Sequence, residues 1–107
     1  MIAHIVLLQP RADLTDAQRA EALAALRHAA ADVPEIRAIR LGRRITHGLP
    51  GYEQMMQQDF EFALIVEVED VEALKRYLAA PAHAALGQLF HRATSAALAY
   101  DYELEAI

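Results

Sequence analysis

Between Phe60 and Val68 the chain carries its best strand, and that strand is apolar on both sides. Phe60, Phe62, Leu64, Val66 and Val68 fall on one side, while Glu61, Ala63, Ile65 and Glu67 fall on the other. Period-two alternation of this kind is the signature of a strand with one face on a core. Here Ala63 and Ile65 give the second face apolar content as well. A strand that is apolar on both faces needs a covering layer on each, and this requirement limits the folds open to the chain.

The remaining elements follow from local signals. Ala3 to Leu8 is short, rich in Ile, Val and Leu, and ended by Pro10, which predicts a first strand. Thr15 is placed as an N-cap, with Gln18 completing a capping box and Asp16 favourable to the dipole. The helix is expected from Asp16 to Ala31, with Ala20, Leu23, Leu26 and Ala30 as its apolar face and Pro34 beyond its end. Ile36 to Ile45 predicts a second strand. Its arginines, Arg37, Arg40, Arg43 and Arg44, suit an edge position. Thr46 to Asp59 predicts a loop with one short helical turn, in which Met55 and Met56 suit either a flexible lid or an ordinary loop. Asp70 caps a helix with Val71, Leu74 and Leu78 turned inward. Pro81 interrupts it near Ala80, and a further helix is expected from Ala82 to about Ala93 with Leu86, Leu89 and Phe90 on its apolar stripe. Ala96 to Leu104 closes the chain as a strand.

The order strand, helix, strand, strand, helix, strand predicts an α+β, ferredoxin-like βαββαβ fold with a four-stranded antiparallel sheet and its helices on one face. At 107 residues and 55% hydrophobic content, one domain spanning 1–107 is expected. With the helices on one side, Ile5, Leu7, Ala63, Ile65, Leu98, Tyr100 and Tyr102 cover the other. That surface is too apolar for water, so these residues are the expected homodimer interface, laid sheet to sheet.

Composition narrows the function. A formal net charge of −5 argues against a nucleic-acid partner. The first residues have no basic leader and the apolar run is too short for a membrane span, so a soluble cytoplasmic protein is expected. Without cysteine there is no disulfide, thiolate nucleophile or cysteine-bound metal. His4, His47 and His83 show no helical i, i+4 pairing and no accompanying carboxylate, so no metal and no cofactor are expected. His28 and His91 fall on helix positions expected to be exposed.

The junction Tyr77-Leu78-Ala79-Ala80-Pro81-Ala82-His83 sets a phenol and an imidazole in a lining of alanine and leucine, as a small-molecule site requires. Proton abstraction beside a carbonyl needs a base of near-neutral pKa and a donor at the developing oxyanion, which His83 and Tyr77 supply. His4, on a central strand, is placed to complete such a site. The same residues also suit a plain structural role, with His83 packing the helix junction, Tyr77 a core aromatic with a wet hydroxyl, and His4 a histidine satisfied by one hydrogen bond.

His4-Ile5-Val6-Leu7-Leu8, Ala63-Leu64-Ile65-Val66-Glu67-Val68, Tyr77-Leu78 with Pro81-Ala82-His83, and the terminal Tyr100-Asp101-Tyr102 resemble the stress-responsive A/B barrel (Dabb) family. The likeness covers nearly the whole chain. It implies a dimeric α+β barrel. A plant polyketide cyclase of the family closes its substrate by an aldol-type condensation in a pocket between sheet and helices. Carried over by position, the resemblance implies catalytic roles for Tyr77 and His83, a polar lining role for His4, and an apolar substrate pocket of Val6, Leu8, Leu23, Leu26, Leu64, Val66 and Ala99. Ala80, Phe62, Ala22 and Leu23 stand where that cyclase has histidines and aromatic walls, departures that leave room for the general base and bear on the polyketide substrate. The expected function is therefore binding or turnover of a small apolar carbonyl compound, by a polyketide-cyclase-like or other lyase- or isomerase-type reaction. A non-catalytic stress or assembly role and a cofactor-independent monooxygenase are the alternatives.

Overall fold

In a computed structural model describing residues 1–107, the chain forms β1 (Ile2–Pro10), α1 (Asp16–Asp32), β2 (Ile36–Arg43), β3 (Phe62–Val68), α2 (Val71–Ala79), α3 (Pro81–Ala93) and β4 (Thr94–Glu103). The strands make one antiparallel sheet in the order β2-β3-β1-β4, with the helices on one face. This is the ferredoxin-like α+β arrangement, and the arginine-rich strand is at an edge as expected.

Local chemistry explains the boundaries. Thr15 Oγ1 accepts from the Gln18 backbone N–H while the Gln18 side chain accepts from the Thr15 N–H, closing the capping box that starts α1. The Asp70 side chain accepts from the Ala73 N–H at 2.8 Å and starts α2. Ala80, held extended ahead of proline, ends α2, and Pro81 is itself the first residue of α3, one position earlier than predicted. β1 runs on to Pro10, which lies at a bulge opposite Thr94 where a missing N–H is tolerated. β2 stops at Arg43 and β3 begins at Phe62. Between them the chain makes a single 3-10 turn at Glu53–Met55.

The core lies between the sheet and the helices. Ile2, Leu64, Val66 and Val68 meet Leu26, Ala29, Val33, Ala73, Leu74, Tyr77 and Leu86. Two helices are rotated from their predicted faces. On α1 the buried residues are Leu26 and Ala29, while Ala20 and Leu23 stay exposed. On α2 the inward side chains are Ala73, Leu74 and Tyr77, and Val71 and Leu78 lie outside the core. The large Tyr77 ring takes the inward position, which turns Leu78 to the side.

The opposite face of the sheet has no covering layer. Register aligns Arg40, Ile65, Ile5 and Tyr100 across it, with Gly42, Ala63, Leu7 and Leu98 in the next row and Tyr102 beside Ala3. Leu98, Tyr100 and Tyr102 are 42%, 52% and 51% exposed. The chain is a slab of 41 × 40 × 17 Å, one sheet and one helix layer deep. Its surface is 7426 Å², about 1,500 Å² more than size scaling gives for a compact monomer of this mass.

Candidate functional site

β1 and β3 alternate strictly, so His4, Val6 and Leu8 face the helices together with Leu64 and Val66. The α2–α3 junction lies over the same end of the sheet. The Ala80 carbonyl accepts from the backbone N–H groups of His83 and Ala84, which fixes His83 in the first turn of α3. Tyr77 comes from the last turns of α2. The three rings meet edge to face, with centroids 4.9 Å apart for Tyr77–His83, 5.6 Å for His4–Tyr77 and 6.1 Å for His4–His83.

These rings stand at one end of an open trough of about 620 Å³ between the sheet and α3. Val6, Leu8, Leu64, Leu86, Phe90 and Ala99 supply most of its apolar wall. Leu23 and Leu26 line a second cavity under α1 instead, which shares Leu8 with the trough. Val66 is wholly buried in the core and lines neither. Met55 and Met56 do not border the trough, so they form no lid over it.

The chain also brings in a residue that the sequence reading left without a role. Asp101 on β4 is opposite His4 in the register, and its Oδ1 is 2.6 Å from His4 Nδ1. That contact fixes the orientation of the His4 ring. His4 is 6% exposed while the Asp101 side chain is 40% exposed, so the pair spans from core to solvent. The signal available in the sequence was parity: Asp101 shares the helix-facing side of β4 with Ala97 and Ala99.

Tyr77 is 2% exposed, yet its hydroxyl is not a sealed, unpartnered atom; it opens on the trough. Burial, with the Asp101 carboxylate adding to it, pushes the phenol up to about 12, so it is a neutral donor at physiological pH. Burial is also the main cause that lowers His83 from its usual value of 6.5, with His4 adding to it and the Leu78 backbone and Asp101 opposing. A lowered histidine is a neutral base at pH 7. A neutral base and a neutral donor whose ring centroids are 4.9 Å apart at an apolar wall can take a proton from carbon and stabilise the oxygen that gains charge. No three histidine or acidic side chains converge in a way that could hold a metal ion.

His47 is far from this group in sequence element and setting. It faces Glu53 at 3.3 Å and the Tyr52 ring at 5.0 Å within the 46–59 loop. His28 and His91 are exposed.

No curated protein matches the chain. Among solved structures, a hydroxynitrile lyase from Passiflora edulis superposes with a TM-score of 0.85 at 15% identity, covering 99% of this chain and 94% of that one. A protein from Arabidopsis thaliana gives 0.84 at 17% identity, covering 100% and 98%. A dimeric ferredoxin-like protein of unknown function from Thermobifida fusca gives 0.75 at 19%, covering 96% and 90%. At these identities the likeness carries the fold alone. The sequence profile of the Stress responsive A/B Barrel Domain matches residues 2–104, which is nearly every residue that builds the sheet, the helices and the trough, and the chain therefore belongs to the Dabb family.

Proposed function

We propose that this protein carries out acid–base chemistry on a small apolar carbonyl compound bound in the trough. The observation that carries the reading is the meeting of His83, Tyr77 and His4 at one end of an open, mostly apolar space. In this reading His83 takes a proton from the carbon next to the carbonyl. The C–H electron pair moves into the C–C bond as the carbonyl oxygen gains charge, and the Tyr77 hydroxyl donates a hydrogen bond to that oxygen. Asp101 holds the His4 ring, whose other nitrogen is left for the substrate or for passing the proton on. The open trough also favours this reading over a non-catalytic barrel, which calls for a side-chain-filled interior. The fold is shared with a hydroxynitrile lyase, although the case rests on the side chains and not on that likeness.

The test needs no knowledge of the natural substrate. A small ketone incubated with the protein in D2O exchanges its α-hydrogens for deuterium if a base in the trough forms the enolate, and proton NMR follows the loss. We expect saturable exchange that falls about 100-fold in His83→Ala. Exchange at the buffer rate, or at an unchanged rate in that variant, would remove the reading.

We also propose that two copies pair through the uncovered sheet face at Ile5, Leu7, Ala63, Ile65, Leu98, Tyr100 and Tyr102. The excess surface of this chain is comparable with what each partner of a large interface buries. Structurally similar proteins from Thermobifida fusca, Bacteroides fragilis and a Jannaschia species are described as dimeric. This pairing leaves each trough on an outer side, free to take its own ligand.

A further inference from the structure

The trough has a second polar end that the acid–base reading leaves unused. His83 stands in the first turn of α3, and His91, further along the same helix, also lines the trough. With a rise of 1.5 Å per residue, the two lie about 12 Å apart along the helix axis. Ser95, at the start of β4, lines that far end as well, and its hydroxyl makes only a long bond of 3.4 Å to the Gln9 carbonyl. The exposed histidine of α1, His28, is paired with Asp32 at 2.8 Å, whereas His91 has no carboxylate partner. None of the residues lining the trough is acidic.

Midway between the two histidines α3 carries Gly87, which is also part of the trough wall. Glycine weakens a helix relative to alanine, and it is needed where φ is positive or where another group approaches closely. Neither reason applies here. The positive-φ glycines are Gly48 and Gly51, and a Cβ added at Gly87 would meet nothing within 4 Å. The missing side chain serves no packing. It leaves the wall between His83 and His91 flat and open, where a larger residue would stand in the trough.

We infer that the trough takes a long bifunctional ligand, an oxo acid whose carbonyl sits at Tyr77 and His83 and whose carboxylate is held at the far end by His91 and Ser95, with Gly87 letting it span between them. This names a substrate class for the proposed acid–base site and rests on that reading for where the carbonyl sits. A ring N–H and a hydroxyl are donors suited to a carboxylate. Advancing about 1.2 Å per bond, an extended ten-carbon oxo acid such as 9-oxodecanoate covers about 10 Å between its two polar carbons, which matches the span within hydrogen-bond reach.

Isothermal titration of the full chain compares 9-oxodecanoate with 2-decanone, which lacks the carboxylate. The acid is expected to bind saturably, one per chain, and about 10-fold or more tightly than the ketone, as a hydrogen bond to a charged group gives. No such preference should separate 5-oxohexanoate from 2-hexanone, because the shorter acid does not reach His91. His91→Ala should remove the ten-carbon preference, and His91→Lys, which keeps a donor there, should retain it. Gly87→Leu should weaken 9-oxodecanoate by about 10-fold or more with no fall in melting temperature, which separates a blocked trough from a misfolded chain. Acetone is too short to touch His91, so its hydrogen exchange in D2O reports on the acid–base reading alone. Exchange of acetone without the preference for the acid overturns this inference and spares that reading; the preference without exchange upholds the ligand class and removes the chemistry. Equal affinity for acid and ketone, a preference unchanged in His91→Ala, or no saturable binding of 9-oxodecanoate up to millimolar concentration would each overturn the inference.

Discussion

Tyr77 and His83 illustrate how burial sets the chemistry of single residues. The Tyr77 phenol, raised to about 12, stays protonated through the physiological range, so its contribution is donation. Tyr77→Phe is expected to slow α-hydrogen exchange by about 100-fold or more, as loss of an oxyanion donor does. Because no protein group bonds the hydroxyl, thermal melting should show little loss of stability. His83 titrates below its usual 6.5 in the folded chain. At pH values between the two, the unfolded chain binds the extra proton and the folded chain does not, so the protonated side gains. Stability that His83 leaves intact above 6.5 is therefore lost as pH falls through the folded value. Urea unfolding across this range should show wild type losing stability toward acid more steeply than His83→Gln. Equal slopes would place the lowered value elsewhere.

Among the elements, α2 and α3 hold the two rings, and their ends were legible from residue types. Asp70 as a cap, Ala80 before proline and Pro81 at a helix start each act within a few residues, and each is in position. Asp70→Ala should cost about 1 kcal/mol in urea unfolding, the usual consequence of losing a side-chain cap. Helix rotation was less legible. Ala20, Leu23, Leu26 and Ala30 repeat with helical spacing, but α1 is so rich in alanine that a stripe one position over fits nearly as well. Contact with α3 and the core turned Leu26 and Ala29 inward, leaving Leu23 at the second cavity. The same weakness of alanine as a filler created that cavity. On α2, Tyr77 outweighed Val71 and Leu78 because its ring buries the most area.

As a whole molecule the chain is thin, with a radius of gyration of 14.8 Å against about 13 Å for a compact domain of this length. That shape is what one layer short of a filled structure looks like, and it supports the proposed pairing. Ile65→Asp places a charge at the middle of the outer face, beside Ile5 and across from Arg40. Sedimentation equilibrium should give twice the chain mass of 11.9 kDa for wild type and the single mass for the variant, with far-UV circular dichroism unchanged. A wild type that sediments as a single chain at tens of micromolar would contradict the pairing.

From its sequence alone this protein fixed its strands, its helix starts and stops, their order, and which strand residues share a face, because alternation, caps and proline act between near neighbours. The meeting of His4 with Asp101, 97 residues apart, was decided only when β1 and β4 took their register. The division of the space above the sheet into a trough at His83 and a cavity under α1 was likewise a tertiary outcome. It depends on how far each helix rolls as it packs, and no pattern along one element contains that.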